Sequence, residues 1–166
     1  MLQSATGVPP RLSALCPYHL MTPDQVVLVQ SSWPAIAERG DELSARFYDH
    51  LFAIDDSAAR LFAHVDMNAQ RAKLVHTLRV VVQALGNVDS LLPAVAALGK
   101  RHTHYGVEAR HFDSVGEALL WAFDDTLGDA FTPALRAAWA EAYAFLASVM
   151  KRALIRGAET AQAVAP

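Results

Sequence analysis

The sequence predicts an all-α protein of about seven helices, and three observations carry that expectation. From Thr22 onward, apolar residues recur at three- and four-residue spacing, the period of a helix with one buried face. Glycines punctuate the joints, at Gly40, Gly86, Gly106 and Gly128. No stretch alternates apolar and polar residues in the manner of a half-buried strand. The length of 166 residues suits one domain with a sizeable core, and a 53% hydrophobic composition can fill it.

Residues 1–20 read differently. They hold Gly7, Pro9, Pro10 and Pro17 with little periodicity, and are expected to form a flexible extension. No basic cluster precedes a long apolar run there, so no secretory signal is expected and the protein reads as cytoplasmic. The domain is expected over 21–155, with a C-terminal tail over 156–166 that is Ala-rich over 158–165.

The first helix is expected over 22–38, with Thr22 as cap, Pro23 in the first turn and Gln25 completing a capping box. The second, over 41–53, carries Phe47, Tyr48, Leu51 and Phe52. A short third helix is expected over 55–61 and a fourth over 69–86. On the fourth, Gln70, Leu74, Thr77 and Val81 fall within about 60° of one another, an apolar stripe that begins with an amide. The fifth, over 91–104, places Val95, Leu98 and His102 within about 60°. The sixth and seventh are expected over 109–127 and 132–154.

An apolar helix face that presents a single imidazole suits a metal ligand. Nitrogen Nε2 of His102 would bind, while the Leu98 carbonyl, one turn earlier, would hold the other ring N–H. Taken alone, a histidine near a helix end is more often a surface residue or cap. His104 is the nearest rival, but lies about 200° round the helix. His76 lies about 240° from Gln70. His19, His50, His64 and His111 read as solvated or loop residues, with His64 in a loop that could border a pocket. Tyr48, Gln70 and the phenylalanines each have an equally plain reading as core or first-turn residues.

Composition closes several alternatives. A net charge of -3 gives no footprint for nucleic acid. No apolar run reaches the roughly 18 residues of a membrane span. Cys16 is the only cysteine, which excludes an intrachain disulfide and a cysteine-cluster zinc site. Phosphate-binding glycine loops and Gly-x-Ser-x-Gly turns are absent.

In order and spacing, seven stretches resemble the globin family, in particular bacterial single-domain globins and the haem domain of flavohaemoglobins. They are Arg46 to Asp49 with Leu51-Phe52, Arg60-Leu61-Phe62, Gln70 to Leu74, Leu91 to Val95, Leu98 to Val107, Val115 to Leu120, and Ala138-Trp139 with Ala142-Tyr143. The resemblance runs from about Thr22 to Leu154 and implies a three-over-three helical arrangement around a haem pocket. It implies a non-covalent haem b, since the Cys-x-x-Cys-His attachment motif is absent. His102 matches the proximal iron ligand. Tyr48 and Gln70 match the distal pair of the bacterial type. Phe62, Leu74, Leu98, Val107 and Val115 match haem-contacting positions.

Three positions depart from the flavohaemoglobin pattern. Phe112 and Arg156 stand where a tyrosine and a glutamate usually support the proximal histidine, and Asp56 replaces the proline that opens the third helix. Nothing after Leu154 reads as a flavin- or nicotinamide-binding domain. The resemblance implies reversible binding of oxygen, with carbon monoxide and nitric oxide as further ligands. Nitric oxide dioxygenation with a separate reductase is a second expectation, and gas or redox sensing through a partner a third. No nucleic acid or membrane partner is expected, and the chain reads as a monomer or weak homodimer.

Overall fold

The computed structural model describes residues 21–164. Seven α-helices and one 3-10 turn follow one another, with no strand among the described residues. They are α1 (Pro23–Glu38), α2 (Gly40–Ile54), α3 (Asp56–Leu61), α4 (Met67–Ala84), α5 (Val88–His104), α6 (Ala109–Leu127), the turn Gly128–Ala130, and α7 (Pro133–Val164). The closest packing is of α5 on α7 and of α2 on α6. Helices α6 and α1 also pack on α7, whereas α4 and α5 touch only lightly. Seven helices packed in this way make the all-α arrangement expected from the sequence.

The capping box at α1 forms as its spacing predicts. The Thr22 hydroxyl accepts from the Gln25 amide at 3.2 Å, and the Gln25 side chain accepts from the Thr22 amide at 2.8 Å. Helix α3 starts at Asp56, but Asp55 is its cap. Its Oδ1 accepts from the amides of Ser57 (3.0 Å) and Ala58 (3.1 Å), so no proline is needed to open the helix. Two helices start earlier than their apolar period suggests, because a polar cap lies upstream of the first apolar residue. Asp66 caps α4 through the amides of Asn68 and Ala69, and Asn87 caps α5 through Ser90. Helix α7, expected to close at 154, continues to Val164.

Fully buried Phe123 centres the core, with its ring 4.4 Å from Trp139 and 5.8 Å from Phe131, centroid to centroid. The Trp139 indole N–H donates to Ser32 Oγ at 3.1 Å and so ties α7 to α1. The stripe on α4 is narrower than expected: Val81 is buried and Gln70 and Leu74 are half-buried, but Thr77 is exposed. His111, expected in solvent, is buried at the base of α6, for reasons given below.

Gly99 sets the approach of α5 to α7. A Cβ added there would lie 2.9 Å from the Cα and carbonyl oxygen of Met150, backbone atoms that cannot swing aside. The helix then ends at Tyr105, and Gly106 (φ 73°) takes the left-handed conformation that turns the chain toward α6. Gly99→Ala is therefore expected to destabilise the fold by about 1–3 kcal/mol, the usual range for overpacking. Urea denaturation of variant and parent measures it.

Candidate functional site

Helix α5 delivers His102 half-buried at the end of its Val95–Leu98 face. The ring atom Nδ1 lies 2.8 Å from the Leu98 carbonyl. A carbonyl can only accept, so Nδ1 carries the proton and donates it. The lone pair is thereby placed on Nε2, which has no hydrogen-bond partner among the described residues. Phe112 and Tyr105 flank the imidazole, with centroids at 6.0 and 6.1 Å. The Val107 amide donates to the His102 carbonyl at 3.3 Å, which draws the loop before α6 back under the histidine. His104, the rival, is exposed.

A second group forms where α2, α3 and α4 meet. Tyr48 is only 3% exposed, and its hydroxyl accepts from Gln70 Nε2 at 3.0 Å. The rings of Tyr48, Phe52 and Phe62 are mutually in contact, with centroids 5.4 to 5.7 Å apart. Leu74, one turn beyond Gln70, packs against the core from the same face of α4. Burial pushes the Tyr48 phenol above the ordinary tyrosine range; the Gln70 hydrogen bond and the charge of Arg71 pull the other way. The phenol is therefore a neutral donor whose oxygen is already engaged and whose proton is still available.

The structure thus joins Tyr48, Gln70 and Phe62 in one cluster and Leu98, His102 and Val107 in another. Leu74 and Val115 are half-buried on α4 and α6. Phe112 sits against the imidazole as its sequence position suggests, and its backbone carbonyl accepts from the Tyr143 hydroxyl. Arg156 is exposed on α7. His64 and His76 are exposed, and His50 stacks on Trp121 at 4.1 Å. His19 lies outside the described residues. His111, expected in solvent, is buried because a partner distant in sequence draws it in. Its Nε2 lies 2.9 Å from Ser57 Oγ on α3, and its Nδ1 accepts from the Glu108 amide at 2.9 Å. Sequence reasoning also passed over Arg71. One position beyond Gln70, it points away from the Gln70 stripe by helical period, yet its Nε is buried without a hydrogen-bond partner.

The Globin family model matches residues 45–150, a stretch that holds both the Tyr48 cluster and the His102 cluster. The chain is a globin. Among curated relatives it is similar to the flavohemoproteins of Bacillus subtilis (strain 168), 32% identical over 127 residues, and of Rhodopirellula baltica, 29% identical over 132 residues. These matches cover 74% and 78% of the chain but 31% and 32% of the relatives, so this globin spans about a third of their length. Among solved structures it is similar to the engineered carbene transferase RmaNOD, a proposed nitric oxide dioxygenase from Rhodothermus marinus. That match has 28% identity and a TM-score of 0.74, over 88% of this chain and 99% of that one. A bacterial globin from Campylobacter jejuni shares the fold at 21% identity and a TM-score of 0.74, over 83% of this chain and 99% of that one.

The buried phenols give this globin a measurable alkaline signature. Burial raises Tyr48, and burial followed by the charge of Asp113 raises Tyr143. For a raised phenol, the stability gained by keeping it neutral is present below the unfolded tyrosine range and is lost as pH rises through the folded value. In an ultraviolet pH titration, Tyr48 and Tyr143 are expected to ionise only above the ordinary tyrosine range, together with unfolding. Tyr48→Phe should remove part of that high-pH phase.

Proposed function

We propose that this globin holds a non-covalent haem b between α4 and α5 and binds oxygen reversibly. The observation that carries this reading is His102: a half-buried imidazole with Nδ1–H tied to the Leu98 carbonyl and Nε2 free for a metal. The donor set fits the group, being one neutral imidazole among half-buried apolar side chains. Phe62, Leu74, Leu98, Val107 and Val115 would line the porphyrin and keep water from it. An iron porphyrin held there supplies a coordination position open to a diatomic gas, with carbon monoxide and nitric oxide as alternatives to oxygen. Tyr48, whose oxygen accepts from Gln70, keeps its own O–H to donate toward the ligand in a low dielectric.

The resemblance to RmaNOD favours a second reading, nitric oxide dioxygenation, in which a separate reductase supplies electrons. Sustained nitrate formation over many turnovers with an added reductase distinguishes it; a single stoichiometric conversion does not.

Absorption spectra of the hemin-loaded protein test the first reading. Ferric, ferrous, oxygenated and carbon monoxide forms should show histidine-ligated haem. His102→Ala should lose that spectrum and His104→Ala should retain it; the reverse pattern, or a colourless protein after hemin addition, overturns the proposal. Tyr48→Phe is expected to speed oxygen release about tenfold to a hundredfold, the worth of one charge-assisted hydrogen bond. Stopped-flow displacement of oxygen measures it.

A further inference from the structure

We propose that residues 1–20, which lie outside the described residues, dock their apolar side chains in the groove between the start of α1 and the α4–α5 corner, and so strap the two together. Three observations point to it. First, the groove is wide and apolar. It encloses about 600 Å³, with Met21 and Val27 from the α1 side and Leu85, Val88 and Leu92 from the corner. Val27 is left 61% exposed there. Second, the chain enters at this groove. Met21, the residue that follows the segment, is itself part of the lining, so the segment has no gap to cross. An extended chain covers about 3.3 Å per residue, so residues 12–20 alone reach about 30 Å, well beyond the width of such a groove. Third, the chemistry matches. The segment carries Leu12, Leu15, Tyr18 and Leu20, with Arg11 as a fixed cation and no carboxylate side chain. The groove offers Asp89, and exposed Asp24 stands at the start of α1; neither pairs with a cation among the described residues.

Covering Val27 and the corner takes apolar surface on both sides out of water. Ordering the segment opposes this, so several anchors are needed and not one. The tether helps, because docking is intramolecular and needs no partner concentration. A second copy would have to find the groove from solution, whereas the segment is already at its edge. The exposed charges orient the segment more than they hold it. The corner joins α4, which carries Gln70, to α5, which carries His102, two helices that touch only lightly. The strap therefore steadies that joint from outside, and does not depend on a bound haem. Short local bonds hold the corner amides: Asn87 donates to the Ala84 carbonyl at 2.8 Å and Leu91 to the Asn87 carbonyl at 3.3 Å. Their hydrogen exchange reads whether anything covers them.

The test is hydrogen exchange of the full chain, read by mass spectrometry over residues 85–92. The double substitution Leu12→Asp, Leu15→Asp lies outside the described residues. It should speed exchange at the corner about tenfold or more, since one buried leucine is worth that much, and leave α6 unchanged. Val27→Asp, at an exposed position that spares the core, should do the same from the other side. Combining all three should add little, because both sides remove the same contact. Unchanged exchange in the Leu12, Leu15 variant overturns the proposal. So does an equal rise in α6, which would mark general loosening, or effects of the two sides that simply add. Exchange in the parent that quickens on dilution also overturns it, because the groove would then belong to a second copy.

Discussion

One hydrogen bond organises the candidate site: His102 Nδ1–H to the carbonyl of Leu98. It is local, made within a single helical turn, and it selects the tautomer that leaves Nε2 as a base. Its effect depends on where α5 lies, and that is decided by Gly99, three residues earlier. With only a hydrogen at Gly99, α5 rests against the Met150 backbone of α7. With even a methyl there, the helix that carries the imidazole must shift or tilt. The light contact between α4 and α5 has the opposite meaning. A helix held firmly by one neighbour and loosely by the other leaves its half-buried face available to a planar guest.

The His102 imidazole is flanked by rings and not by a carboxylate. Phe112 presents a ring where a hydroxyl could have supported the histidine, and the Tyr143 hydroxyl is directed to the Phe112 backbone carbonyl rather than to the ring nitrogen. His102 therefore feels a single neutral carbonyl, with no carboxylate bonded to it among the described residues. A carbonyl acceptor raises the basicity of Nε2 less than a carboxylate does, so the expected ligand is an imidazole and not an imidazolate-like donor. That balance supports the proposed reading, in which the site would hold a diatomic rather than cleave it.

How much of this was legible in the sequence depends on the range of each interaction. His102 and Leu98 are four residues apart, so helical period alone places them. Tyr48 and Gln70 lie on separate helices. Composition cannot join them; the family resemblance could, and the 3.0 Å bond is what the structure adds. Helices α4 and α5 start earlier than the apolar period implies, because the Asp66 and Asn87 caps lie upstream of the first apolar residue of each stripe. Arg71 was passed over for a different reason. An arginine beside an expected site residue reads as solvated, and only the three-dimensional packing shows its Nε enclosed.

His111 shows how a constellation of chemically suggestive residues can be structural. Asp55, Ser57 and His111 lie together, and Ser57 Oγ donates to Asp55 while touching His111 Nε2. The polarity is wrong for a nucleophile and its base. Nδ1 of His111 accepts from the Glu108 amide, so the ring proton sits on Nε2 and is donated toward Ser57. Arg110 adds a second donor to the same oxygen, and Ser114 donates to the other oxygen of Asp55. Hydrogen bonds from Ser57 and Ser114 hold the Asp55 carboxyl well below the usual carboxylate range, so at neutral pH it is an acceptor. The cluster therefore works as a latch between α3 and the start of α6. That latch anchors two of the segments that carry Phe62 and Val107 to the expected pocket, and so serves the site without taking part in its chemistry.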